Sequence, residues 1–248
     1  MRRPDETRSY GEHPEQIIDF YYPAAEPTRL VFLIHGGFWR QEHDRAHLVP
    51  LAARVAERGA VVAVPEYRRI GGAGGFPQTF DDIAAAVDII PELNPAQPVV
   101  LAGFSAGGHL ALWAAARHRL PTGSRWRLAD RPNVVGVVAL APVSDLEQTR
   151  ALALDDNAAG ELLGDGGSLD ETDPMRLLPT GIPMIVIHGR QDNRVPYEMS
   201  ERFVKTAGDA GDRVELITLD VGHFELIDPA HAAGAETLNA IYRDWDIA

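Results

Sequence analysis

Residues 98–110 read PVVLAGFSAGGHL, and the order of residue types in this stretch decides how the chain is built. The run from Val99 to Ala102 is unbroken and apolar, which suits a strand buried on both faces. From Ala106 onward the apolar residues recur three or four apart, as on a helix. Ser105 stands at the junction, with Gly103 and Gly107 two positions to either side. A serine on so sharp a strand-to-helix turn needs a strained backbone. Glycines at those two places remove side chains that would collide with the neighbouring strand and helix. The spacing G-x-S-x-G thus has a mechanical cause. The helix N-terminus behind Ser105 also aims free amide donors and the positive end of a dipole at the space in front of the hydroxyl. The competing reading of such a string is a tight glycine turn feeding a phosphate site; the strand before it and the helix after it favour a nucleophilic serine.

Working outward, short apolar or β-branched runs alternate with longer segments of helical spacing along the whole chain. Strands are expected at 17–22, 30–35, 61–65, 98–104, 134–141, 184–188 and 214–220, the first of them at a sheet edge. Helices are expected at 46–58, 79–93, 106–118, 198–210 and 233–245. This alternation predicts an α/β fold with a mostly parallel central sheet and helices on both faces. Residues 144–180 break the pattern. They are rich in Asp, Gly, Ala and Leu without any strand-like run, and are expected to form a small helical insertion, either a cover over a site or ordinary connecting helices. A chain of 248 residues is within the range that α/β folds use as one unit, so 1–248 is read as one domain carrying that insertion.

Composition excludes several functions. The 36 acidic residues against 23 basic ones give a net charge of −13, so the surface has no basic field for a phosphate backbone, and nucleic acid is not an expected partner. The same acidity weakly favours neutral or apolar small-molecule substrates. With no cysteine, disulfide frameworks, thiolate zinc sites and cysteine nucleophiles are ruled out. The first residues, MRRPDETRSYGEHPEQ, lack the apolar core of a secretion signal, and the longest apolar runs, such as 134–143, are too short to span a bilayer. A cytoplasmic location without membrane insertion is the resulting expectation.

A second glycine-rich signal follows the apolar run 30–34, at His35-Gly36-Gly37-Phe38-Trp39. A Gly-Gly pair directly after a strand lets backbone amides approach a substrate closely. Gly37 and Phe38, with Ala106 behind the serine, are the candidate oxyanion donors. Phe38 and Trp39 are candidates for lining the pocket, and Trp39 is taken as a substrate-binding residue. His35 sits before the loop, where it is expected to hold the loop by hydrogen bonds.

A serine nucleophile needs a base and an acid that orients it. Where the serine stands on a G-x-S-x-G elbow, the two are expected after late strands in the order acid, then histidine. Asp192 lies in the turn GRQDNRVP after the run 184–188, and His223 follows the run 214–220. A buried carboxylate at Asp192 would fix the tautomer of His223 and stabilise its imidazolium. Asp145 is the rival acid, and Asp220 is read as closing its own strand. His109, His118 and His231 fall on helix patterns and are read as structural or solvated. His43 and His47 are four apart, as metal ligands on a helix would be, but no glutamate follows His43 and no third ligand is evident, so no metal site is expected.

The strings HGGFW, GFSAGGH, HGRQDNRVP and VGHF, in this order, resemble the α/β-hydrolase superfamily, in particular its esterase and lipase branch with an HGG loop, over about residues 30–223. HGGFW and GFSAGGHLA are similar to kynurenine formamidases, and residues 66–88, EYRRIGGAGGFPQTFDDIAAAVD, resemble the corresponding stretch of esterases and prolyl-oligopeptidase-like hydrolases. The chain departs from the hormone-sensitive-lipase pattern in placing Phe38 where HGGG has its third glycine, and it lacks the long N-terminal cap of that type and the propeller of the oligopeptidases. The resemblance implies the α/β-hydrolase fold and a Ser105-His223-Asp192 serine hydrolase. Its substrate would be a small-molecule ester or amide, with no cofactor. A carboxylesterase is the first expectation. An arylformamidase acting on N-formylkynurenine is the second, and a non-catalytic ligand-binding protein on the same scaffold is the alternative of another class.

Overall fold

In the computed structural model, which describes residues 2–93 and 97–245, eight strands form one sheet. They are β1 (Glu6–Ser9), β2 (Ile17–Tyr21), β3 (Arg29–Ile34), β4 (Ala60–Pro65), β5 (Val99–Phe104), β6 (Gly136–Leu140), β7 (Met184–Gly189) and β8 (Val214–Leu219). Their order is β1-β2-β4-β3-β5-β6-β7-β8. The β1–β2 and β2–β4 pairs are antiparallel, and every pairing from β4 across to β8 is parallel. The helices are α1 (Val49–Glu57), α2 (Gln78–Asp88), α3 (Ile90–Leu93), α4 (Ala106–Ala115), α5 (Leu146–Ala151), α6 (Leu154–Leu163), α7 (Leu169–Thr172), α8 (Tyr197–Asp209) and α9 (Ala232–Ile241). Among the described residues, no helix is long and apolar enough to cross a membrane.

The period of two along the strands builds two cores, one on each face of the sheet. Leu30, Phe32 and Ile34 of β3, with Val99 and Leu101 of β5, pack with Phe80 of α2, Leu110 and Trp113 of α4, and Phe203 of α8. The intervening Val31, Leu33, Val100, Ala102 and Phe104 pack with Leu51 and Val55 of α1 and with Leu238 and Ile241 of α9. Both faces are therefore covered, which is why these strands read as continuous apolar runs in the sequence. This is the α/β-hydrolase arrangement.

Two expectations need correcting. Residues 17–22 do not form an edge strand, because β1 pairs outside β2, with Thr7 opposite Asp19 and Arg8 opposite Ile18. The ETRS strand is polar and mostly exposed, as suits a sheet edge, and carries no apolar alternation to reveal it. The helix expected at 46–58 starts as a 3₁₀ turn, Arg45–Leu48, and becomes α-helical only where Pro50 enters its first turn, a position that needs no amide donor. Residues 144–180 contain α5, α6, α7 and a 3₁₀ turn, Pro174–Leu177, and no strand.

Topology then fixes where a site can form. The chain leaves β3 toward β4 through α1 on one face, and leaves β5 toward β6 through α4 on the other. Adjacent strands whose connections depart in opposite directions open a crevice beyond their carboxyl ends. The HGG loop and Ser105 both emerge there. The crevice depends on α4 starting hard against β3: a Cβ placed on Gly107 would sit 2.1 Å from the Ile34 carbonyl oxygen and 2.5 Å from that of His35. Both obstacles are backbone and cannot swing aside. We expect Gly107→Ala to destabilise the protein by roughly 1–3 kcal/mol, the usual cost of overpacking. In a chain of this size that lowers the melting temperature by several degrees in calorimetry. An unchanged melting temperature would show that α4 can slide away from β3.

Candidate functional site

Ser105 occupies the turn between β5 and α4 with φ 56° and ψ −120°, a conformation that L-residues rarely adopt. Its backbone is pinned at both ends. Its N–H donates to Leu140 O at 2.8 Å, and its carbonyl accepts from His109 N at 3.1 Å and Val143 N at 3.2 Å. Gly103 is needed for the same reason as Gly107, since a Cβ there would lie 2.1 Å from the Gly107 carbonyl oxygen. The serine side chain is thereby presented at the floor of a cavity of about 190 Å³, bordered also by Gly37, Phe38, His47, Phe104 and His223.

The HGG loop carries three consecutive residues with positive φ: Gly37 at 105°, Phe38 at 46° and Trp39 at 58°. Strain in two large residues persists only when the surroundings over-determine it. Here Arg40 N donates to Gly37 O at 2.9 Å, while Ile70 N to Trp39 O and Gln41 N to Ile70 O lace the loop to the segment after β4. Below it, the buried His35 ring faces Gly36 O at 2.9 Å and Glu66 Oε1 at 2.8 Å and stacks on Tyr67. Burial and the neighbouring Arg69 guanidinium push His35 down to about 3, so the ring is neutral. It supports the loop and does not reach the cavity. Among the described residues, the N–H groups of Gly37, Phe38 and Ala106 have no acceptor.

Trp39 does not take the expected place. Its side chain is fully buried and makes an edge contact with His109 at 5.2 Å, and it does not border the cavity. The left-handed turn at Phe38 and Trp39 directs the two aromatic side chains differently, so that Phe38 alone faces the cavity and Trp39 enters the core. Trp39 is accordingly a packing residue in this structure.

Two loops meet at the other wall. The turn after β7 is tied to the strand-end of β8 by Arg190 N to Leu219 O at 2.8 Å and Gln191 N to Val221 O at 3.0 Å. Gly189 permits this approach, because a Cβ there would lie 2.2 Å from Val221 O. The carboxylate of Asp192 is buried between them. Its Oδ1 accepts from Arg194 N at 2.8 Å and Val195 N at 2.9 Å. Its Oδ2 accepts from His223 Nδ1 at 2.5 Å and from His188 Nε2 at 3.1 Å. Burial alone would raise the pKa of Asp192, but hydrogen bonds from His188, His223 and the backbone outweigh it and hold the group well below the usual carboxylate range. The His223 ring packs on Phe104, centroid to centroid 4.6 Å, and opens onto the cavity beside Ser105. Among the described residues no hydrogen bond joins Ser105 to His223; such contacts often close only when substrate binds.

The competing residues are placed elsewhere. Asp145 caps α5 through Gln148 N at 2.7 Å and pairs with Arg202. Asp220 accepts from Gln191. His109 is buried with Nε2 on Thr172 O, and His231 caps α9. His43 and His47 both border the cavity, but His43 precedes the 3₁₀ turn and His47 lies within it, so their spacing of four does not put them on one helix face. Burial lowers His47 to about 4.

Three features at the site escaped the sequence reading. Asp155 of α6 borders the cavity, held by Arg40 through Nε at 2.5 Å, with Glu161 taking a second guanidinium nitrogen at 2.9 Å. Phe224 is 56% exposed beside His223. His188 stands behind Asp192, and its signal was present in the string HGRQD, which puts a histidine four residues before the acid.

Comparison with known proteins shows the family and the fold. The family model described as BD-FAE matches residues 18–206, well over half of the chain. A probable isoprenylcysteine alpha-carbonyl methylesterase of Oryza sativa subsp. japonica is 25% identical over 84% of the chain, which spans only 55% of that protein. Esterase LipC of Mycobacterium tuberculosis is 24% identical over 94% of the chain and 64% of its own length. Among solved structures, esterase B of Lactobacillus rhamnosis superposes with a TM-score of 0.81 over 99% of this chain and 88% of that one at 22% identity, which speaks for the fold. The match over residues 18–206 reaches from β2 through the serine turn and the Asp192 loop into α8, and on that extent the chain belongs to the BD-FAE family.

Proposed function

We propose that this protein is a serine hydrolase that cleaves carboxylic esters through an acyl-enzyme, with Ser105 as nucleophile, His223 as base and Asp192 as the acid that orients it. The observation that carries the reading is the 2.5 Å contact of His223 Nδ1 with Asp192, on a ring that opens beside Ser105 into one cavity bordered by Gly37 and Phe38. With Nδ1–H committed to the carboxylate, Nε2 is free to accept the serine proton. Ser105 Oγ then bonds to the ester carbon, and the resulting oxyanion is met by the amides of Gly37, Phe38 and Ala106. Collapse expels the alcohol, which takes the proton from His223. Water, deprotonated by His223 in turn, releases the acid and restores Ser105. The relatives named as esterases support the ester as substrate. A cavity of about 190 Å³ lies below the range of roughly 300–1,000 Å³ typical of drug-sized ligands and favours short acyl groups. Its walls are aromatic at Phe38, Phe104 and Phe224, while α6 reaches its rim through Asp155, so the 144–180 segment serves as part of the cover.

The substrate test is a panel of p-nitrophenyl esters of rising acyl length beside N-formylkynurenine, run before and after treatment with a serine-directed organophosphonate. Short esters should turn over fastest, and the adduct should map to Ser105 with loss of turnover. Preference for N-formylkynurenine would move the activity to an arylformamidase, and a folded protein inert toward the whole panel would favour a ligand-binding role. The acid is tested by ranking two variants. Asp192→Asn should lower kcat by roughly 10⁴-fold, since an amide favours the wrong imidazole tautomer. Asp145→Asn should leave kcat within a few fold and show its effect in stability. The reverse order would transfer the acid to the β6 side.

The oxyanion loop gives a further contrast. A Cβ on Gly37 would lie 2.3 Å from His43 Cβ, at a φ that β-branched residues do not tolerate. Gly37→Val should therefore shift the loop amides and cost about 3 kcal/mol of transition-state stabilisation, as the loss of one donor does. Phe38→Gly places glycine at a positive φ and should keep turnover of an acetyl ester while widening acyl preference. Steady-state kinetics on acetyl and longer esters separates the two. Equal kcat in Gly37→Val and wild type would mean the loop is structural.

A further inference from the structure

Asp192 Oδ2 receives two imidazoles, and only one of them faces the cavity. His188, at the end of β7, is fully buried. Its Nε2 lies 3.1 Å from Asp192 Oδ2 and 3.1 Å from Val195 O, and its Nδ1 lies 2.7 Å from Ser200 Oγ on α8. A carboxylate and a carbonyl can only accept, so Nε2 must carry the proton. In the neutral ring Nδ1 is then the acceptor, and the Ser200 hydroxyl donates to it. The proton on Nε2 follows from the two acceptors that it faces. A continuous donor chain results, from Ser200 through His188 to Asp192, ending on the same oxygen that holds His223.

We propose that His188, its proton held on Nε2 by Asp192 and the Val195 carbonyl, is a positioning residue of this site: its N–H shares Asp192 Oδ2 with His223 and so sets how strongly the acid attracts the proton on the base. The inference rests on the functional reading above and adds a residue to it. Physically, a hydrogen bond to a carboxylate draws off part of its charge. With His188 donating, Asp192 stays ionised and oriented but holds the His223 imidazolium less tightly, which keeps His223 basic enough to accept a proton and acidic enough to return it. Without that donor, the Asp192 charge acts on His223 alone. The imidazolium is stabilised, and the pKa of the base rises.

Other charges also bear on His223. Arg190 and Arg194 lie in the Asp192 turn, and Tyr197 and Glu198 begin α8. Asp155, His43 and His47 face it across the cavity, and Glu225 follows it in the chain. All of them are unchanged in a His188 variant, so they cancel in a comparison of variants.

The experiment compares the pH dependence of kcat/KM for p-nitrophenyl acetate in wild type, His188→Phe and His188→Gln. Phenylalanine keeps the ring volume and removes the donor; glutamine restores an amide N–H near the position of Nε2. The acidic limb should move up by roughly 0.5–1 pH unit in His188→Phe, the size expected for losing one hydrogen bond to a charged partner, and return toward wild type in His188→Gln. A role in packing alone would lower the yield of folded enzyme without moving the limb. Equal limbs in the Phe and Gln variants would overturn the proposal. A second measurement needs neither turnover nor a variant. Nitrogen-15 NMR of the wild-type imidazoles should show the His188 proton on Nε2, with Nδ1 as the acceptor. A His188 that carries its proton on Nδ1 would refute it. If no ester is hydrolysed the functional reading fails, while the NMR result still decides the tautomer on which the chain depends.

Discussion

The contact between the first turn of α4 and the end of β3 governs the rest of this molecule. Gly107 lies where any side chain would strike the carbonyl oxygens of Ile34 and His35, and Gly103 lies where one would strike Gly107 itself. Three backbone segments therefore pass one another without side chains between them. Two consequences follow from this one approach. The turn between β5 and α4 becomes so tight that Ser105 is forced to positive φ. The HGG loop, which continues from β3, is brought beside the free amides of the helix start. Ser105, Gly37 and Phe38 border one cavity because the helix cannot stand further off. The strain in Ser105 is thus tied to the register of the sheet, where Ile34 pairs with Gly103.

A second constraint holds the HGG loop in its unfavourable backbone. Glu66, nearly inaccessible to solvent, lies 2.8 Å from His35 Nε2, accepts from the amides of Tyr67 and Arg45 and from the guanidinium of Arg45, and pairs with Arg69. Arg45 reaches on to Asp19 of β2 at 2.6 Å, and Arg69 to Glu15 at 2.7 Å. Burying so many charges is expensive, and an ion pair in such a place seldom adds net stability over apolar packing. Its value is geometric. The network joins the ends of β2, β3 and β4 to the start of the 3₁₀ turn, leaving His35 neutral and fixed under Gly36. A loop with positive φ at Gly37, Phe38 and Trp39 needs such a base if it is to hold its amides still.

The sequence showed the strands on either side of Ser105 and a mostly parallel sheet with two covered faces, because these depend on apolar period and on glycine spacing. It also brought Ser105, His223 and Asp192 forward, since each follows a strand in a turn with its own composition. What it did not show depends on three-dimensional contact. β1 is four polar residues whose only reason to be a strand is the neighbouring edge of β2. Trp39 next to a Gly-Gly loop reads as a pocket residue, yet two left-handed residues in succession turn it into the core beside His109. His188 reads as the last residue of an apolar strand, and its link to Asp192 becomes visible only once the turn folds back over it. The spacing of His43 and His47 suggests one helix face, but the α-helix begins later, at Val49.

The segment between β6 and β7 shows how such features combine. Ala153, Asp155, Asp156 and Asn157 all have positive φ, a run that costs roughly 1–2 kcal/mol for each L-residue. Something must hold it. Arg40 immediately follows the strained HGGFW loop, and its guanidinium clasps the side chain and carbonyl of Asp155 and the carboxylate of Glu161. Two strained backbones, the HGG loop and the segment of Asp155 at the cavity rim, are thus clipped together by one arginine. A bidentate, charge-assisted clasp of this kind is only partly exposed to solvent and gains directional hydrogen bonds that an isolated surface pair lacks. The position of Asp155 at the rim is then a property of the HGG loop as much as of α6: a shift in Arg40 moves both. The rim of the cavity at Asp155 is coupled by this contact to the HGG loop.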